Sequence, residues 1–370
     1  MHSHASRLCE TYDYPTELGE LLDEIVVLAL ETFDELVGIV LSPSISTGEF
    51  LWKCVSERVH FLSDVDGFVF ANATNFQSTR FKQGLARLAH GRGGPLFKLD
   101  FSVIRSAALD AMTESFQMVE TRMGGFELAG SHLLERFPDR FDPRASRQAF
   151  LLNLWMPLVT SDADTWAQSA ARLLLDIPLL ASSEEGICRP GHRARAEWFL
   201  ESRPGRLGSD PAIHRAVEAA LAARLAPPGS RDLIEPLLLP AVEATIAALD
   251  AGPPPPTRPN ASLISRFTSW LPPRSPRRIA GEFRTLVRRP GQPLKDLLWW
   301  KRRKEAVGGG ALWGLFQILH GAENPNQQTA DWLAAFARRS PVDPGAEDFI
   351  SQARDQYRNG LVELYPTHGE

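Results

Sequence analysis

Cysteine is scarce in this chain. Three residues in 370, Cys9, Cys54 and Cys188, stand far apart at no recurring interval, which excludes a disulfide framework and a four-cysteine zinc site. No stretch reaches the roughly 18 apolar residues that a bilayer span needs. The opening run MHSHASRLCETYDY has neither the basic head nor the apolar centre of an export signal, so the expectation is a cytoplasmic protein. An excess of positive charge is also missing: 40 Lys and Arg against 45 Asp and Glu give a formal net charge of −5. Binding to nucleic acid or anionic lipid must therefore be local if it occurs. Neither Gly-x-x-x-x-Gly-Lys nor Gly-x-Gly-x-x-Gly occurs, which removes the P-loop and dinucleotide-binding readings. His60, His90 and His132 stand singly, with no Gly-x-Ser-x-Gly nucleophile.

What is present is an ordinary globular composition, 44% hydrophobic and 23% charged, in a length that suits two or three domains. Residues 16–35 place Leu18, Leu21, Leu22, Ile25, Val26 and Ala29 at helical spacing, with Thr16 in position to cap the start. LVGIVLS (36–42) is a short β-branched run closed by Pro43, the pattern of a buried strand. DVDGFVFAN (64–72) and PLFKLDFSVI (95–104) read the same way, on either side of a helical stretch. Strand and helix alternating over about 70 residues indicate a small sheet with flanking helices. From residue 107 the periodicity is helical almost throughout, so the expected fold class is α+β, a small mixed sheet followed by a mainly α-helical region.

The chemistry gathers around Ser63-Asp64-Val65-Asp66 at the head of the second strand. Side chains alternate along a strand, so Asp64 and Asp66 share one face. Asp100, between Leu99 and Phe101 in the third strand, joins them if the two strands pair. Three clustered carboxylates repel, and a hard divalent cation with oxygen ligands relieves this, typically Mg²⁺ shared with substrate phosphates. Upstream, Pro43 to Glu49 (PSISTGE) sits where the first strand should turn into a helix. Its amides, the Ser44 hydroxyl and the positive helix end suit a triphosphate, and Gly48 permits close approach.

On these residues the chain resembles the nucleotidyltransferase superfamily of the DNA polymerase beta type. That pattern is Gly-Ser, three variable residues and Gly-Glu, then Asp-x-Asp on the next strand and a third Asp on a later one. Ser44, Gly48, Glu49, Asp64, Asp66 and Asp100 occupy matching positions, while Pro43 replaces the first glycine and removes an amide from the phosphate loop. The long stretch from Glu49 to Ser63 looks like the variants found beside bacterial polysaccharide biosynthesis genes. FELAGSHLLERFP (126–138), FLLNLW (150–155) and residues 171–200 lean the same way, with Arg172 where a lysine is common and Ile187 where an aromatic is common. The resemblance covers roughly residues 20–200. It implies Asp64, Asp66 and Asp100 as catalytic and metal-binding residues, and Ser44, Gly48 and Glu49 at the nucleotide. It also implies Mg²⁺ as cofactor, NTP as donor and a small, sugar-like or glycan-related acceptor. The alternatives are a catalytically weakened NTP-binding or protein-interaction module, and a modifier of a protein or RNA.

The expected organisation is a catalytic domain at 1–140, a helical acceptor-side domain at 141–250, a proline-rich linker at 251–260 and a mainly helical region at 261–370. A basic tract runs from Arg274 to Lys304 and includes Trp299 and Trp300. Its bland reading is a helix with the indoles packed inward, and its functional one is contact with an anionic partner.

Overall fold

In the computed structural model, the residues described are 4–93, 97–106, 115–154, 163–225, 231–249, 313–319, 324–337 and 340–364, with positions 112, 156, 157 and 311. The fold is α+β. Two compact units divide the chain: Met1–Asp142 with Ser182–Glu201, and Pro143–Ala181 with Ser202–Glu370. The segment Ser182–Glu201, helical in the sequence pattern, thus packs with the sheet unit. The linker at 251–260 and the tract from Arg274 to Lys304 lie outside the described residues.

The first unit opens with α1 (His4–Tyr12) and α2 (Thr16–Thr32). Pro15 holds the cap position of α2 in extended conformation, without a side-chain cap bond, and Thr16 is the first helical residue. The sequence reading of Thr16 as the cap is corrected by one position, because the proline ring fixes an extended entry. Strands β1 (Leu36–Leu41), β4 (Val65–Ala71), β5 (Leu99–Arg105) and β6 (Phe126–Ala129) form one sheet in the order β5-β4-β1-β6. β2 (Trp52–Val55) and β3 (Arg58–Phe61) form a separate hairpin. A one-turn helix, α3 (Pro43–Ser46), follows β1, and α4 (Asn75–Ala89) links β4 to β5.

β1 runs antiparallel to both neighbours, whereas β4 and β5 are parallel. A parallel pair needs a crossover, and α4 supplies it. A capping box starts α4: Thr74 accepts from the Gln77 amide while the Gln77 side chain accepts from the Thr74 amide.

Alternation sends Val65, Val69, Phe101 and Val103 to one face. There they meet Leu18, Leu22 and Ile25 of α2 and Phe81 and Leu85 of α4. Val40, Phe68 and Phe70 point to the other face, onto Leu133 and Phe137. Gly67 permits the close packing between strands, since a Cβ there would lie 2.5 Å from the Phe101 ring and 2.7 Å from the Val40 carbonyl oxygen.

The second unit is helical in its described residues. Pro211–Leu225 packs on Arg231–Leu249, and Gln327–Ala337 packs on Phe349–Leu364. In the latter pair the Phe336 and Tyr357 rings stack at 4.9 Å. No described helix is long and apolar enough to cross a membrane.

Candidate functional site

The sheet brings two of the three predicted carboxylates, Asp66 and Asp100, to one face, and Asp64 stands immediately before β4. Asp66 is the register partner of Asp100, and Val65 that of Leu99. In a parallel pair, register partners point the same way. Asp66 and Asp100 therefore lie side by side on the face that carries Phe68, Phe70 and Ile104, and Asp64 precedes them by one alternation. Phe101 and Val65 take the helix-covered face, so burial of those two fixes the carboxylates on the opposite one.

Sequence reasoning missed the cation that meets them. Lys98 shares their parity, and its carbonyl accepts the Val65 N–H at 3.0 Å, which fixes its backbone beside Asp64. Its Nζ donates to Asp100 Oδ2 at 2.9 Å, with the two side chains 60% and 59% exposed. Burial disfavours the Lys98 charge. The hydrogen bond to Asp100 and the fields of Asp100, Asp64 and Asp66 outweigh it and hold the ammonium above the usual lysine range. Among the described residues, no group of three His, Cys, Asp or Glu side chains stands close enough to form a metal-ligand set.

The Ser44 loop leaves β1 at the same end of the sheet, where the Ser42 N–H donates to the Asp66 carbonyl at 2.9 Å. Pro43 is the first residue of α3, a position whose N–H has no intrahelical partner, so the ring suits it. The expected helix is only one turn long and is followed by the β2–β3 hairpin, so a summed helix dipole for phosphate is corrected away. What remains is the Ser44 hydroxyl, whose Oγ is buried and has no hydrogen-bond partner among the described residues.

The loop is clamped from beneath by α1 and the residues after it. Tyr12 donates its hydroxyl to the Ser46 carbonyl, and Tyr14 donates to the Ile45 carbonyl at 2.8 Å. The Phe50 N–H donates to the Tyr14 oxygen at 3.3 Å. Burial pushes the Tyr14 phenol up to about 12. Gly48 has φ +78°, and its Cα faces the Tyr12 ring, where an added Cβ would sit 3.0 Å away. A side chain there would be strained and crowded.

Glu49 is 6% exposed and occupied elsewhere. Its Oε2 accepts the His192 N–H and its Oε1 the Arg193 N–H, each at 2.8 Å. These amides open α5 (His192–Ser202), so the Glu49 carboxylate caps that helix and favours its dipole. Beside it the Gly191 N–H donates to Glu120 Oε1 at 2.9 Å, and the buried Arg195 pairs with the same Glu120. Arg195 also donates to the Arg189 carbonyl at 3.0 Å and lies over the Phe116 ring. Burial and Glu120 push the nearby Cys188 thiol up to about 12, against the opposing field of Arg195. An inert thiol results. The structure thus ties His192 and Arg193 to the Ser44 loop through Glu49, sets Asp66 beside Asp100 in the sheet and pairs Asp100 with Lys98.

Comparison of the chain with protein-family models and with the curated proteins finds no match in either.

Proposed function

We propose that the chain is a Mg²⁺-dependent nucleotidyltransferase that moves a nucleoside monophosphate from an NTP to a hydroxyl of a small, sugar-like or glycan-related acceptor. The observation that carries the reading is the register of Asp66 with Asp100 on adjacent parallel strands, with Asp64 one alternation upstream. The donor set fits the metal in kind: carboxylate oxygens are what Mg²⁺ takes. On the neighbouring loop Ser44 offers a buried hydroxyl with no partner among the described residues. Asp64, Asp66 and Asp100 would hold the ion, which when bound polarises the transferred phosphoryl group and neutralises the departing pyrophosphate.

The chain's own residues do the rest. Ser44 donates to a phosphate oxygen of the triphosphate, and Gly48 keeps the loop seated against Tyr12. Asp100 accepts the acceptor's hydroxyl proton as that oxygen bonds to the α-phosphorus. The bond from the α-phosphorus to its bridging oxygen breaks, and pyrophosphate leaves with the electron pair.

Asp66→Asn tests the reading through pyrophosphate release with mixed NTPs. The expected loss is at least about 100-fold, the size of a positioned charge in phosphoryl transfer. A parental rate with an unchanged metal requirement would refute it. A second reading, an NTP-binding module without turnover, is favoured by the ammonium of Lys98 already bonded to Asp100. Binding of Mg·ATP by calorimetry without any pyrophosphate release would support that module.

A further inference from the structure

The carboxylate cluster already contains a positive charge from the chain itself. We propose that Lys98 is a resident counter-cation of Asp64, Asp66 and Asp100, displaced when a divalent ion enters, and that it thereby sets the metal concentration at which the site fills. The proposal rests on the carboxylate reading above and extends it to a residue outside the matched pattern.

Three observations carry it. Lys98 precedes β5 by one residue on the carboxylate face, with its carbonyl bonded to the Val65 N–H at 3.0 Å, so its stem starts within the cluster whatever its side chain does. Its Nζ stands 2.9 Å from Asp100 Oδ2, and Asp100 is the register partner of Asp66 on the adjacent parallel strand. Its side chain is 60% exposed, so four rotatable carbons can carry the ammonium into water while the backbone anchor is unbroken. A divalent ion and an ammonium cannot share the same oxygens at contact distance. The ion must win the carboxylates from Lys98, and the cost of breaking that pair is subtracted from its affinity. An exposed pair at the upper end of the usual range, lost to the competitor, corresponds to about fivefold in affinity.

The test uses the full chain and Mn²⁺, whose binding is read directly by electron paramagnetic resonance without turnover. Lys98→Gln is expected to bind Mn²⁺ about fivefold more tightly than the parent, Lys98→Arg close to the parent, and Asp66→Asn far more weakly. Equal affinity in parent and Lys98→Gln, with Asp66→Asn still impaired, overturns the role of Lys98 and leaves the carboxylate site standing. Absence of specific Mn²⁺ binding in the parent and Lys98→Gln alike overturns both readings. A second measurement needs no variant: acetylation of Lys98 by acetic anhydride, followed by mass spectrometry, should accelerate severalfold when Mg²⁺ is added. An unchanged labelling rate at a Mg²⁺ concentration that saturates the site also overturns the proposal.

Discussion

Replacing Glu49 by Gln separates a ligand-binding role from a structural one. In the folded chain both carboxylate oxygens accept backbone N–H groups of the first turn of α5, each at 2.8 Å, and the side chain is 6% exposed. Glutamine keeps one accepting oxygen and presents an NH₂ where the other stood, so one of the His192 and Arg193 amides faces a donor. Leaving a buried N–H unpaired costs about 1–3 kcal/mol. Removing the negative charge from a helix N-terminus costs about 0.5–1 kcal/mol more. The sum, about 1.5–4 kcal/mol, should lower the melting temperature of the sheet unit by several degrees in the absence of any nucleotide. Differential scanning calorimetry of the ligand-free protein measures it. A variant with an unchanged thermogram whose NTP affinity alone collapses would refute the capping account, and would restore Glu49 to the nucleotide site as the sequence pattern has it.

Ser44→Ala removes a buried hydroxyl that no group among the described residues satisfies. Ligand-free stability should therefore stay within about 1 kcal/mol of the parent, while NTP affinity falls several-fold by calorimetry; an equal loss of both would show the hydroxyl to be structural. For Tyr14 the folded value near 12 lies above the usual 10, so the neutral phenol is favoured by folding. Its contribution is complete below pH 10 and disappears as pH rises through about 12. Denaturant unfolding of Tyr14→Phe should accordingly show a shallower loss of stability than the parent across that interval, and parallel curves would contradict the assignment.

The strands and their carboxylates were legible because burial leaves a trace every second residue. LVGIVL and VDGFVF alternate into two apolar cores, and the acids fall at the positions that alternation leaves outside the helix-covered one. The β2–β3 hairpin was not legible. Its turn residues Ser56 and Glu57 have φ +50° and +63°, the left-handed pair that a tight hairpin demands, without the Asn-Gly or Asp-Gly that advertises it. α1 did carry a signal, with Ala5, Leu8 and Cys9 buried at helical spacing, but its nine residues are too few for periodicity alone. Lys98 two residues before an aspartate is unremarkable in sequence, and only the pairing of β4 with β5 reveals three acids around it. The link from Glu49 to His192 spans 143 positions, and that from Glu120 to Arg195 spans 75. Contacts at such separation leave no periodic trace, which is why residues 182–201 read simply as more helix.

The geometry of the candidate site is thus set by the apolar residues between the acids. Phe101 is 2% exposed and meets Phe81 of the crossover helix edge to face, with ring centres 6.5 Å apart. Gly67 opposes Phe101 in the register and opens the space its ring occupies. Sliding β5 by one residue against β4 would turn Phe101 to the other face and drive Asp100 into the layer of Phe81 and Leu85. An unpaired carboxylate there costs several kcal/mol, on top of the lost burial of a phenylalanine, about 2–3 kcal/mol. Two independent penalties therefore forbid the slip, and the register that brings Asp100 beside Asp66 is the one the hydrophobic core demands.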